Sequence, residues 1–339
     1  MMAPTTEPIY ITYLNGLDIA ALKLTDEEIL GAIETALDAQ GRKETVIEPR
    51  VHLVPRDSAK GHFNVLRGVV HPLNAAGVKV VGDFVDNYKH GLPSEFGILN
   101  LFDPETGVPR AVIDATSITD MRTGAVTAIG AKYLAPSKPK ILGHIGARGS
   151  SYWNIRLLAS LFQFDEIRIH SKRKESREAL GARLEKELGR PIRVLDNWEE
   201  TIVGADIVVE ASRLPAPEPL LKTSWIKKGA LVMPYGTMSA LELSLTDIMD
   251  KMVVDDWGQC RKGLPLGALR QHVDNDKLTE ENLHAEMGQI VAGAKKGRES
   301  DDETILFWHR GLSLSDIALG TTILDKAAKL DIGQRLRYA

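Results

Sequence analysis

The chain has 339 residues, with 42 Lys plus Arg against 46 Asp plus Glu and a formal net charge of −4. That length suits two domains better than one, and the slightly acidic balance gives no electrostatic basis for holding nucleic acid or an anionic membrane surface. A composition 43% hydrophobic and 26% charged is globular, and the lone cysteine, Cys260, excludes an internal disulfide or a thiolate zinc site and points to a reducing compartment, the cytoplasm.

The opening MMAPTTEPIYITYL lacks a basic start leading into an apolar stretch, so no secretory leader is expected. No apolar run reaches the roughly 18 residues of a membrane helix. DEEILGAIETALDAQG reads as a helix. VHLVP, HFNVLRGVV, GVKVVGDFV and FGILNLFD then read as strands of an antiparallel or mixed sheet, punctuated by GLP and by DPETGVP, a hairpin turn. From about residue 139 the pattern changes. PKILGHI is a buried strand, SSYWNIRLLASLF a helix, EIRIH a strand and ESREALGARLEKEL an amphipathic helix, with IRVL, DIVVEA, GALVMP and MVVDD as further strands. Short β-branched runs alternating with helices predict an α/β domain, a doubly wound parallel sheet covered on both faces, over residues 119–312. The last helix, LSLSDIALGTTILDKAAKL, returns to the first part of the chain, giving a discontinuous α+β domain of residues 1–118 plus 313–339.

The strand KILGHI runs into Gly146-Ala147-Arg148-Gly149-Ser150 and then a helix. A glycine-rich turn of this kind offers backbone N–H groups and a positive helix end to a pyrophosphate. The usual pattern is G-x-G-x-x-G/A, and Arg148 stands where the second glycine belongs. Gly143, Gly146 and Gly149 instead fall three apart, so the turn takes either a shifted phosphate-binding geometry, with the Arg148 guanidinium on a phosphate, or no nucleotide at all. After the second strand come Ser171, Lys172 and Arg173, without an acid to accept from a ribose 2′-OH. A hydroxyl beside two cations suits a 2′-phosphate, so NADP is expected as cofactor, with NAD the alternative.

Several segments in order, GVKVV followed by GLPS, ATSITDMRTGAVTAIGAKYLA, ADIVVEAS, HAEMGQIVAGAKKGRES and GLSLSDIALG, resemble the ornithine cyclodeaminase/μ-crystallin family over nearly the whole length. The resemblance implies an N-terminal domain that forms a homodimer and carries substrate residues, beside a Rossmann domain for a nicotinamide cofactor. It also implies that Arg50, Lys79 and Arg122 occupy substrate-carboxylate and catalytic positions, with His62 in a segment that approaches the substrate. The chemistry agrees. An α-carboxylate needs a bidentate, permanently charged partner, which Arg supplies, and a lysine in an apolar strand has a lowered pKa suited to proton transfer.

The chain departs from the family at three places. Besides Arg148, no aspartate occurs in residues 234–242, where cyclodeaminases carry one, and the stretch Phe307-Trp308-His309-Arg310 is unusual. Those last residues either face a substrate or pack in the interior. No HExxH, Cys/His set or Gly-x-Ser-x-Gly elbow is present, so neither a metal site nor a serine hydrolase is expected. The reading is an NAD(P)-dependent oxidoreductase reducing an imine of a small amino acid, cyclic or open-chain, or running the reverse oxidation. A cyclodeaminase and a non-catalytic ligand-binding relative are the alternatives. Arg67, Arg213 and Arg310 leave room for a second substrate carboxylate.

Overall fold

The computed structural model describes residues 7–56, 61–262 and 266–339. Two compact units emerge, one of residues up to Arg122 together with Leu312–Ala339, the other Thr123–Gly311. The division falls inside a single helix, Thr116–Leu134.

The first unit is built on a mixed sheet of β1 (Tyr10–Leu14), β2 (Thr45–Ile47), β3 (Val51–Leu53), β4 (Gly61–Val70), β5 (Ala75–Phe84), β6 (Glu95–Phe102) and β7 (Pro109–Asp114), closed by the C-terminal strand Gln334–Arg337. Its order is C-terminal strand, β1, β7, β6, β5, β4, β2, with β3 also on β4. β1 runs parallel to β7, and the other pairings are antiparallel. β4, β5 and β6 form its centre, and alternation decides which side chains turn inward. Leu66, Lys79 and Leu99 lie directly opposite one another and so share a face. That face receives the C-terminal helix Ser313–Leu330. Gly77 is what lets the helix approach so closely, since a Cβ there would lie 2.7 Å from Ile317 Cγ1. The helix Asp26–Gly41 starts at Thr25 in a capping box with Glu28, which satisfies two otherwise orphaned donors. It buries Ile29, Ile33 and Leu37, each contributing roughly 1.5–3 kcal/mol of hydrophobic stabilisation.

The second unit is an all-parallel sheet of β8 (Ile141–Ile145), β9 (Glu166–His170), β10 (Arg193–Val194), β11 (Ile207–Glu210), β12 (Leu231–Pro234), β13 (Lys251–Val254), β14 (Ala285–Glu286) and β15 (Ile305–Trp308). The order β10-β9-β8-β11-β12-β15-β13-β14 means that the chain leaves β8 in one direction and later returns on its other side. β8, β11, β12 and β15 are almost wholly buried, which is why they read as unbroken apolar runs rather than alternating ones. The reversal between β8 and β11 is the kind of switch point at which open α/β sheets bind their ligands, outside the carboxyl ends of the strands.

Candidate active site

The glycine turn leaves β8 at this reversal. Gly146 has φ +118°, and its N–H donates to the His170 carbonyl at 2.8 Å. A Cβ on Gly146 would meet the Ala211 carbonyl oxygen at 2.9 Å, so the close pass of the β8 and β11 exits requires glycine. Gly149 is also left-handed, at φ +57°, and the helix Ser151–Leu161 begins immediately afterwards. Arg148 does not block the turn. Its side chain is exposed, while its carbonyl accepts from the Ser151 hydroxyl at 2.9 Å. Gly143 is not part of the turn. It lies within β8, where a Cβ would strike the Thr201 carbonyl at 2.4 Å.

The turn is braced from beneath. Ser150 Oγ lies 2.8 Å from Tyr235 Oη, and Asn154 Nδ2 donates to the same phenol oxygen. The Tyr235 ring stacks on His309 at 4.6 Å, and His309 Nε2 lies 3.0 Å from Thr127 Oγ1. His309 and Trp308 are therefore interior packing. The Arg310 guanidinium donates to the Gln259 carbonyl and its backbone N–H to Asp255. His144 is buried with its two nitrogens near the Gly146 carbonyl and Asn154, and burial pushes its pKa down to about 4, so it is neutral at physiological pH.

Ser171, Lys172 and Arg173 stand at the end of β9. Ser171 Oγ donates to the Arg173 carbonyl at 3.1 Å, and both cations are exposed. The turn and the adjacent helix N-terminus fit the pyrophosphate of a dinucleotide. A further group here was not legible in the sequence. Glu210 ends β11 with no exposure; its Oε1 accepts from the Ser212 N–H at 2.7 Å and Gly236 packs against its other oxygen. Burial pushes this carboxyl up to about 7, against the Ser212 and Gly236 contacts. Its only signal was an acid closing an otherwise apolar strand, in ADIVVEAS.

The first unit carries a buried polar cluster of its own. Lys79, in β5, is only 1% exposed. Its Nζ donates to Asp316 Oδ1 at 2.7 Å and to Thr119 Oγ1 at 2.6 Å. Arg122 donates through Nε to the same Asp316 oxygen at 3.0 Å, while its two Nη groups meet no acceptor among the described residues. Burial lowers the Lys79 pKa to about 8, with Asp316 opposing that shift and Arg122 adding to it. Asp316 is held below the usual carboxylate range by its two cations, in spite of its burial. Lys79 and Arg122 thus meet around an acid that sequence reasoning missed. Asp316 sits in GLSLSDIALG, where its helical neighbours three and four positions away are apolar or small, so an acid there lies on the buried side.

Arg50 stands half-buried just before β3. His62 shares the Lys79 face of the sheet, but it pairs with Asp83, four residues along β5, which is roughly 13 Å away at strand spacing. There it lies 3.2 Å from Asn64 Nδ2, with its ring 5.3 Å from His52. Arg67 is tied to Glu48. No group of three or more metal-ligating side chains occurs among the described residues, and no helix among them is long and apolar enough to cross a membrane.

A doubly wound parallel sheet with a glycine turn at its reversal defines the class: this is a protein with a Rossmann-type nucleotide-binding unit joined to a mixed-sheet unit. The chain belongs to the ornithine cyclodeaminase/mu-crystallin family, which it matches over residues 13–330. N-((2S)-2-amino-2-carboxyethyl)-L-glutamate dehydrogenase of Staphylococcus aureus is 31% identical over 336 residues, 96% of this chain and 97% of that one. The fold superposes on an archaeal alanine dehydrogenase dimer with bound NAD, with TM-score 0.89 and 27% identity over 98% of this chain and all of that one. It also superposes on the Delta(1)-pyrroline-2-carboxylate reductase of Thermococcus litoralis in complex with NADH and L-proline, with TM-score 0.88 and 26% identity over 96% of this chain and all of that one.

Proposed function

We propose that this protein is an NAD(P)-dependent oxidoreductase of C–N bonds that reduces the imine of a small α-imino acid, cyclic or open-chain, or runs the reverse oxidation of the amino acid. The observation that carries the reading is the cluster of Lys79, Arg122 and Asp316. Two cations around one carboxylate leave a single excess positive charge, the complement of one substrate carboxylate. The Nη pair of Arg122 matches that carboxylate's two oxygens in a bidentate fork. Lys79, with a pKa of about 8, is an ammonium at neutral pH and acidic enough to protonate an imine nitrogen. In the oxidative direction the neutral amine takes the proton back. The nicotinamide, when bound, supplies the hydride. Arg67 and Arg310 are committed to partners of their own, so the case for a second substrate carboxylate weakens.

NADP is the preferred cofactor, because Ser171, Lys172 and Arg173 offer a hydroxyl and two exposed cations where an NAD enzyme places an acid. Gly146, Ala147, Arg148, Gly149 and Ser150 hold the pyrophosphate, with the exposed Arg148 guanidinium available to it. The protein acts as a homodimer in the cytoplasm. The face of the first unit's sheet away from the C-terminal helix supports the dimer. Val51, Val65, Val80 and Ile98 pair across four strands, next to Leu53, Phe63, Gly82 and Phe96. Of these, Val51, Leu53, Phe96 and Ile98 are exposed, an apolar strip that a second copy would cover. The test is an NADPH and NADH oxidation screen against cyclic imines and against 2-oxo acids with ammonia or amines. Stoichiometric oxidation with at least one imino acid is expected. Absence of nucleotide binding at millimolar concentration would overturn the proposal.

A further inference from the structure

Asp316 is a carboxylate in the first turn of a helix whose neighbouring residues Leu314, Ile317 and Ala318 are buried apolar side chains, and it has no exposure of its own. An ion taken so far from water is tolerated only when its charge is matched and its lone pairs are used. Both matching cations bind the same oxygen, Lys79 Nζ at 2.7 Å and Arg122 Nε at 3.0 Å, and the helix N-terminus adds its own positive end. Oδ2 meets no partner among the described residues. This arrangement does something specific to each cation. Lys79 spends two of its three N–H donors, on Asp316 and Thr119, which leaves one. Arg122 spends its single Nε–H, which leaves both Nη groups.

Resting on the imine-reductase reading, we infer that Asp316 is the positioning residue of the reaction, holding Lys79 as an ammonium with one proton left for the substrate nitrogen and fixing Arg122 by its Nε so that both Nη groups serve the substrate carboxylate. When Lys79 gives its proton, the imine nitrogen becomes an iminium and Lys79 a neutral amine. The positive charge moves but its sum does not change, so Asp316 stays ionised throughout. Asp316 needs no proton of its own, and the buried carboxylate is counter-ion first to the ammonium and then to the iminium. The groups facing Lys79 are Asp316 from the C-terminal helix, Arg122 and Thr119 from the helix Thr116–Leu134, and Glu95 from β6. Asp316 and Glu95 favour the ammonium and Arg122 opposes it.

The test reads Lys79 directly in the protein without substrate or nucleotide. In lysine-15N-labelled protein the Nζ resonance of Lys79, identified by its loss in Lys79→Met, is titrated by NMR. Asp316→Asn, which keeps the shape and removes the charge, should lower the Lys79 pKa by about one unit or more. Arg122→Gln, which leaves Asp316 to Lys79 alone, should raise it. The alkaline limb of kcat for imine reduction should move with each variant. Asp316→Glu should restore part of the shift, whereas a merely structural role would lower kcat at every pH and leave the limb in place. An unmoved Nζ titration in both Asp316→Asn and Arg122→Gln overturns the inference, and if one variant fails to fold the other still decides. If Lys79 titrates as expected and no imino acid is turned over by the wild-type protein, the function reading fails and the electrostatic unit stands.

Discussion

Replacing Glu210 by Gln should stabilise the nucleotide-binding unit in mildly alkaline solution and leave it nearly unchanged in mild acid. In the unfolded chain this carboxyl ionises at its ordinary 4.5, whereas in the folded unit it keeps its proton up to about 7. Folding therefore takes up a proton between those values, and stability falls as pH rises through that window. At about 1.4 kcal/mol for each unit of displacement, the loss is on the order of 3 kcal/mol once the pH has passed 7. Gln keeps an oxygen for the Ser212 N–H and does not ionise, so the variant escapes the loss. Wild-type stability alone will not show the effect, because His144 works against it. Held neutral down to about 4 against an ordinary 6.5, His144 makes the fold gain stability as pH rises across an overlapping window. Subtracting wild type from variant at each pH cancels His144 and isolates Glu210.

The measurement is denaturant unfolding followed by tryptophan fluorescence. All five tryptophans, Trp153, Trp198, Trp225, Trp257 and Trp308, lie within the second unit, so the signal reports that unit. The variant's advantage should be under about 1 kcal/mol at pH 5 and about 3 kcal/mol at pH 8. A difference that stays flat with pH, or a variant less stable at pH 8, refutes the account of Glu210 as a carboxyl forced towards neutrality by burial.

Three further outcomes are expected. Lys79→Met should abolish imine reduction and leave the NADPH dissociation constant within about twofold, because Lys79 belongs to the first unit; turnover at the wild-type rate would place proton transfer elsewhere. Arg122→Ala should raise the substrate KM by roughly 30- to 1000-fold, the range for losing a charge-assisted carboxylate contact, while an unchanged KM would remove it from the substrate site. Ser171→Asp should shift preference from NADPH towards NADH by about tenfold or more, measured as the ratio of the two dissociation constants, and a wild-type protein that binds NADH the more tightly would contradict the role given to Lys172 and Arg173.

The parallel sheet was legible because strands buried on both faces are largely β-branched and apolar, and β8, β11, β12 and β13 announce themselves in that way. β15 did not, since ILFW, with two aromatic residues and one β-branched one, reads equally as a buried turn of helix. The C-terminal strand, Gln334–Arg337, is fully exposed and mostly polar, so it carries no hydrophobic period, and only its pairing with β1 makes it a strand. The site divides along the same line. Lys79 and Arg122 could be proposed from the sequence because each sits in a distinctive local segment. Asp316 could not, because its partner Lys79 is 237 residues away and only the fold brings them together. His62 shows the converse. A face is readable from alternation, but distance along the face is not.

The separation of Lys79 from Asp316 also orders events during synthesis. A ribosome delivers the lysine 237 residues before the carboxylate that matches it, an interval of roughly 10–50 s at ordinary elongation rates. Within that interval the second unit, continuous and ending at Gly311, acquires every one of its strands. Until then β5 lacks the carboxylate that matches Lys79, and burying that ammonium unpaired is costly. Docking of the helix Ser313–Leu330 is thus the event that desolvates Lys79, whose lowered pKa is acquired only after residue 316 has been added. A chain truncated after residue 311 would contain every strand of the second unit and lack the carboxylate that pairs with Lys79.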